Sequence, residues 1–146
     1  VLYFYPADFT AGCTAQACAF RDNHEELQAH NAVLIGVSRD SVGRHASFKE
    51  KHGLVFPLVS DPDSRIARLY RATGMLPKIP PRVTYVIDRR GVIRAAFRHD
   101  IAIGRHQVDT LRALDALRAR RAAGNAARRS GSASGYQPNS HPTARW

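Results

Sequence analysis

Residues 1–5, Val-Leu-Tyr-Phe-Tyr, form an unbroken apolar and aromatic run, which is how a strand buried on both faces reads. Pro6 ends it, and residues 6–12 form a loop. From Cys13 the period changes: Cys13, Ala17, Phe20, His24 and Leu27 recur at three and four with charged residues between them. This predicts an amphipathic helix ending near His30 and Asn31. Residues 32–37 read as a second buried strand. Ser41 is placed to cap a helix that Gly53 closes near His52. A short strand over 55–59 carries Pro57, which suits a sheet edge. Asp61 or Asp63 caps a further helix to about Arg71, and the Pro- and Gly-bearing stretch 72–81 reads as loop. Residues 82–88 alternate and are rich in Val, Thr and Tyr, Arg89-Arg90-Gly91 turns the chain, and 92–98 returns as the partner strand. A last helix spans about 105–121, with Val108, Leu111, Leu114 and Leu117 on one face.

The order is thus β-α-β-α-β-α-β-β-α. Helical crossovers make the first three strands parallel, and the closing hairpin is antiparallel. The expected fold is α/β: a thioredoxin-like fold with a mixed central sheet flanked by helices and the first strand in the middle. Residues 1–122 are expected to form this domain. After Gly124 the chain turns to Ser, Gly, Asn, Pro and Arg, so 123–146 is expected to be a disordered basic tail.

The chain has 146 residues with 44% apolar and 23% charged, enough for one core. That excludes a collagen, a wholly disordered chain and a disulfide-dense mini-protein. No apolar run approaches the ~20 residues that span a bilayer. No charged region precedes the opening apolar run, so no signal peptide is expected. The absence of an initiating Met suggests a processed or truncated start. The net charge of +10 points to nucleic acid only until it is divided. Residues 1–117 hold 16 basic and 12 acidic residues, whereas 118–146 hold six Arg and no acid. The folded part is only mildly basic, so no specific nucleic-acid partner is expected.

Two cysteines carry the candidate chemistry. Cys13 follows a strand and a loop and opens a helix, where backbone N–H groups lack intrahelical partners and the macrodipole favours negative charge. The dipole alone stabilises a thiolate there by ~0.3–1 kcal/mol. Gly12 before it allows close approach to the backbone. Cys18 lies five residues on, ~8.6 Å away between Cα atoms on an ideal helix. A disulfide requires about 7 Å or less, so the pair can join only if the helix unwinds. Two unrelated buried thiols are the plainer alternative. Cys-x4-Cys has no second pair of ligands, so no metal site is expected.

With these residues placed, the sequence resembles the peroxiredoxins, and most closely the bacterioferritin-comigratory, or Q-type, subgroup. The resemblance rests on Pro6-x3-Thr10-x2-Cys13 within YPADFTAGCTAQACAFRDN (5–23), on Cys18 five residues later, and on LIGVSRDS (34–41), FPLVSDPD (56–63) and RVTYVIDRRGVI (82–93). It covers about residues 1–120. Ala11 stands where the family commonly has Pro, and the N-terminal segment that members carry before this first strand is missing.

The resemblance implies a thioredoxin-dependent peroxidase that reduces hydrogen peroxide and alkyl hydroperoxides without metal or any other cofactor. It makes Cys13 the peroxidatic cysteine and Cys18 the resolving one, joined in an intramolecular disulfide after turnover. Thr10 would bond the thiolate and the peroxide, Pro6 would shield the pocket, and Arg82 would be the active-site arginine. Gly12, Thr10 and Arg82 would bind substrate. A thioredoxin or glutaredoxin-type dithiol is the implied reductant, and a monomer in the cytoplasm the implied setting. The alternative is a non-catalytic thioredoxin-like redox-sensing or binding domain. Taken alone, Arg82 could be a solvated strand start and Thr10 a helix cap. Gln16 could touch the pocket from the next helical turn, but the expectation is that it faces solvent. The seven histidines show no Cys-His arrangement and read as surface or satisfied core residues.

Overall fold

The computed structural model describes residues 1–74 and 81–131. The expected loop over 72–81 lies partly outside these, as do residues 132–146 of the expected tail. The chain divides into two units, Val1–Asp115 and Ala116–Trp146.

The first unit is built on five strands: β1 (Leu2–Phe4), β2 (Ile35–Ser38), β3 (Leu58–Ser60), β4 (Val83–Ile87) and β5 (Ile93–Arg98). Their order is β3-β2-β1-β4-β5. β1 is central, as expected, parallel to β2 and antiparallel to β4. β3 is parallel to β2 and forms one edge, and β4 and β5 form the antiparallel hairpin. Gly91 turns that hairpin with φ 77, while the Asp88 carboxylate accepts the N–H groups of Arg90 and Val92.

β1 is short but decides the core, because its side chains alternate between the two faces. Phe4 packs on one side with Val37, Ala72, Val83 and Tyr85. Tyr3 and Tyr5 lie on the other, stacked at 5.3 Å, with Phe20 5.1 Å from Tyr3. The cysteines approach the sheet on this second side.

Three helical expectations need correction. The run from Cys13 to His30 is two helices, α1 (Ala11–Asp22) and α2 (His24–Ala29). Asn23 separates them, its side-chain amide and backbone N–H both donating to the carbonyl of Ala19. α3 (Val42–His52) matches, capped by the Ser41 hydroxyl and closed by Gly53 in the left-handed conformation. α4 (Arg65–Leu69) is shorter than expected; the Asp61 carboxylate nevertheless accepts the N–H groups of Ile66 and Ala67. α5 begins as expected at Arg105, but its buried positions within the first unit are His106, Thr110 and Leu114, and Val108 is exposed. His106 is satisfied by Thr84 Oγ1 at 2.9 Å and the His99 carbonyl at 3.0 Å, so polar anchors share the buried face with Leu114, and of the expected aliphatic stripe only Val108 is exposed.

In the second unit, α5 extends to Gly131. The expectation that structure ceases at 123 therefore fails for 123–131. Ala and Arg are strong helix formers, and one Gly costs only ~1 kcal/mol relative to Ala, too little for Gly124 to break the run. No helix among the described residues is long and apolar enough to cross a membrane.

Candidate active site

β1 delivers the chain into a loop whose last residue, Thr10, precedes the first turn of α1. Cys13 sits in that turn and is buried. Its burial follows from the helix face it shares with Gln16, Ala17 and Phe20, all buried. Across from it, Arg82 enters just before β4 and is only 6% exposed. Nη2 of Arg82 donates to Cys13 Sγ at 3.5 Å, and Nη1 donates to Gln16 Oε1 at 2.7 Å. Two anchors on one planar group fix its orientation. The Arg82 backbone N–H donates to Asp100 Oδ1 at 3.1 Å, tying the start of β4 to the segment after β5.

Gly12 is required by this arrangement. A Cβ there would lie 2.7 Å from Ile103 Cδ1 and 3.1 Å from Arg82 Nη2. Any side chain would thus push against the group that faces the sulfur. Beneath it, Tyr3 is fully buried. Its phenol is held protonated chiefly by that burial, with further upward pressure from negative charge at Cys13. Among the described residues, Tyr3 Oη, Gln16 Nε2 and Arg82 Nε are buried with no hydrogen-bond partner. Two of these are donors on side chains already held at the sulfur.

The expected site residues are only partly brought together. Cys13, Gly12 and Arg82 converge. Thr10 occupies the N-cap position without a side-chain cap. Its hydroxyl donates to the Ala7 carbonyl at 3.0 Å, and its own carbonyl accepts the Thr14 N–H. Pro6 is half-buried in the same loop. Cys18 is half-buried on α1, and both thiols are free. The expectation that Gln16 faces solvent is wrong: it is 1% exposed and orients the guanidinium. Its i+3 spacing from Cys13, on the face of Ala17 and Phe20, was the available signal. Asp100 and Ile103 complete the site from the segment before α5, and nothing local in the sequence marks them.

The comparisons with known proteins place this geometry. Residues 1–96 match the AhpC/TSA family. The chain is 40% identical over 118 residues to a chloroplastic peroxiredoxin Q of Suaeda salsa, covering 80% of this chain and 55% of that one. It spans about half the length of the curated relatives it matches. Among solved structures it is similar to the peroxidoxin BcpB of Mycobacterium tuberculosis, with a TM-score of 0.74, 33% identity, and 79% and 77% of the two chains covered. It is also similar to the bacterioferritin comigratory protein of Xanthomonas campestris, studied for alkyl peroxide reduction, with a TM-score of 0.72, 35% identity, and 79% and 76% covered. With a five-stranded sheet of this topology and a buried cysteine opening α1 under an arginine, the chain belongs to the AhpC/TSA family, in its peroxiredoxin Q or bacterioferritin-comigratory group.

Proposed function

We propose that this chain is a thiol-dependent peroxidase acting on hydrogen peroxide and alkyl hydroperoxides. The observation that carries the reading is the Arg82 guanidinium directed at the buried sulfur of Cys13. In the reaction, the Cys13 thiolate attacks one peroxide oxygen, the O–O bond breaks, and the departing alkoxide or hydroxide takes a proton. Negative charge moves from sulfur to the leaving oxygen. Donors fixed along that line stabilise the transition state more than the ground state. Arg82, the N–H groups of the first turn of α1 and the Thr10 hydroxyl, once rotated from the Ala7 carbonyl, are those donors. Pro6 covers one side of the pocket.

Cys13 is left as a sulfenic acid, which condenses with a thiol. Cys18 attacks it, hydroxide leaves and is protonated to water, and a disulfide joins the two within one chain. α1 must unwind for this, because both cysteines lie on it. A thioredoxin or glutaredoxin-type dithiol then restores both thiols by exchange. A monomer suffices for this cycle. A reducing compartment, the cytoplasm in our reading, supplies the dithiol.

Peroxide consumption by the purified chain with a thioredoxin system tests the proposal. Cys13→Ser is expected to abolish turnover. Cys18→Ser is expected to give one fast turnover and then depend on added thiol. Full activity in Cys13→Ser would overturn the assignment. No consumption by the unaltered chain would leave the redox-sensing or binding alternative, and insulin reduction faster than peroxide reduction would favour a thiol-disulfide isomerase.

A further inference from the structure

Five residues before Cys13 lies a buried ionic cluster that the peroxidase chemistry does not use. Asp8 is fully buried and His45, on α3, is 3% exposed. Asp8 Oδ1 accepts the Tyr5 hydroxyl at 2.6 Å, and Oδ2 lies 2.7 Å from His45 Nδ1. The other ring nitrogen, Nε2, faces the Val59 carbonyl at 3.2 Å. A carbonyl only accepts, so Nε2 carries a proton. The Tyr5 proton is spent on Oδ1, so a second proton must lie between Nδ1 and Oδ2. His45 Nδ1 is therefore the partner of Asp8 Oδ2, and a side chain without a donor there leaves that buried oxygen unpaired.

The backbone of Asp8 is held from the same side. Its N–H donates to Asp40 Oδ2 at 2.8 Å, and its carbonyl accepts Arg44 Nη2 at 3.1 Å. Arg44 also pairs with Asp40 Oδ1 at 3.0 Å, and the Ser38 hydroxyl donates to Asp40 Oδ2. Asp8, Asp40 and His45 have the composition of a cation site, but these bonds already occupy their ligand atoms. Next in the chain, Phe9 takes the unfavourable φ of 65, which surrounding contacts must over-determine. They do: its ring meets Phe48 at 5.2 Å and lies under the Arg44 guanidinium at 5.1 Å. Arg44, His45 and Phe48 project from one region of α3 onto two consecutive loop residues.

We propose that His45 and Asp8 are positioning residues for Cys13. The pin they form fixes the loop 6–10 against α3. That sets where α1 begins and hence where the sulfur stands relative to Arg82. The inference rests on the peroxidase reading for its rate effects and on its own geometry for the rest.

The test combines two readouts on the full chain. The first is the rate constant for Cys13 oxidation by hydrogen peroxide. The second is hydrogen exchange at the Thr14 amide, whose bond to the Thr10 carbonyl closes the first turn of α1. His45→Leu leaves the carboxylate unpaired and is expected to slow oxidation about 100-fold, the cost of a misplacement of about 1 Å, and to speed exchange at Thr14. His45→Asn, whose Nδ2 stands one bond beyond Cγ as Nδ1 does, keeps a donor for Asp8 and is expected to restore most of both. Should the Leu variant not fold, His45→Ala, which has no donor, takes its place against Asn. A folded Leu or Ala variant with the unaltered rate and exchange overturns the pin, as does Asn failing as badly as Leu. An unaltered chain inert to peroxide sinks the peroxidase reading instead, and the exchange data still decide the pin.

Discussion

At the scale of single residues, the site reduces to one sulfur and one guanidinium. Arg82 is useful because its fork makes two bonds at once, to Gln16 and to Cys13. Lys, a point charge on a flexible stem, cannot hold both. Arg82→Lys is therefore expected to lower the peroxide rate constant, and Arg82→Met to lower it by about 10²–10³-fold, the usual cost of losing a transition-state donor. Gln16→Leu removes only the anchor. It is expected to have a smaller effect in the same direction, and stopped-flow oxidation of the two variant sets checks the order. Gly12→Ala places a methyl against Ile103 and Arg82. It is expected to slow oxidation without changing the thermal midpoint as much as a core truncation does.

At the scale of elements, the proposed cycle requires α1 to be stable enough to bury Cys13 and weak enough to release Cys18. Oxidation with one equivalent of peroxide is expected to lower the far-ultraviolet helical signal, and the same treatment of Cys18→Ser is expected to leave it intact. The other element with a marked electrostatic consequence is the start of α5. His106 is held below its ordinary value, chiefly by burial. The unfolded chain therefore takes up the proton first, at about pH 6.5. This residue's contribution is complete above that pH and is lost as pH falls toward the lower folded value. The loss of thermal stability between pH 7 and pH 5 is expected to be smaller in His106→Gln than in the unaltered chain. Legibility in the sequence followed these same lines. Strand order, the hairpin and the Cys13 position were readable because they depend on local period and turn residues. Asn23 splitting the first helix, and polar His106 and Thr110 replacing Val108 as the buried contacts of α5, were not, because partners such as Thr84 and His99 are chosen by tertiary packing.

At the scale of the whole molecule, every residue of the site lies in the unit Val1–Asp115, whereas six of the ten net positive charges lie beyond it. Replacing Arg118, Arg120 and Arg121 with Gln is accordingly expected to leave peroxide turnover unchanged while lowering the isoelectric point. Asp100 illustrates how the site outran the sequence: it joins through the backbone N–H of Arg82, which is 18 residues distant. The central claim, that the sulfur facing Arg82 is the one peroxide strikes, is tested most directly by the mass of the intact chain after one equivalent of hydrogen peroxide. The account predicts loss of two hydrogens with Cys13 and Cys18 joined inside one chain, and gain of one oxygen on Cys13 alone when Cys18 is Ser. Oxygen appearing on Cys18 first, or a chain left unchanged by the oxidant, would contradict it.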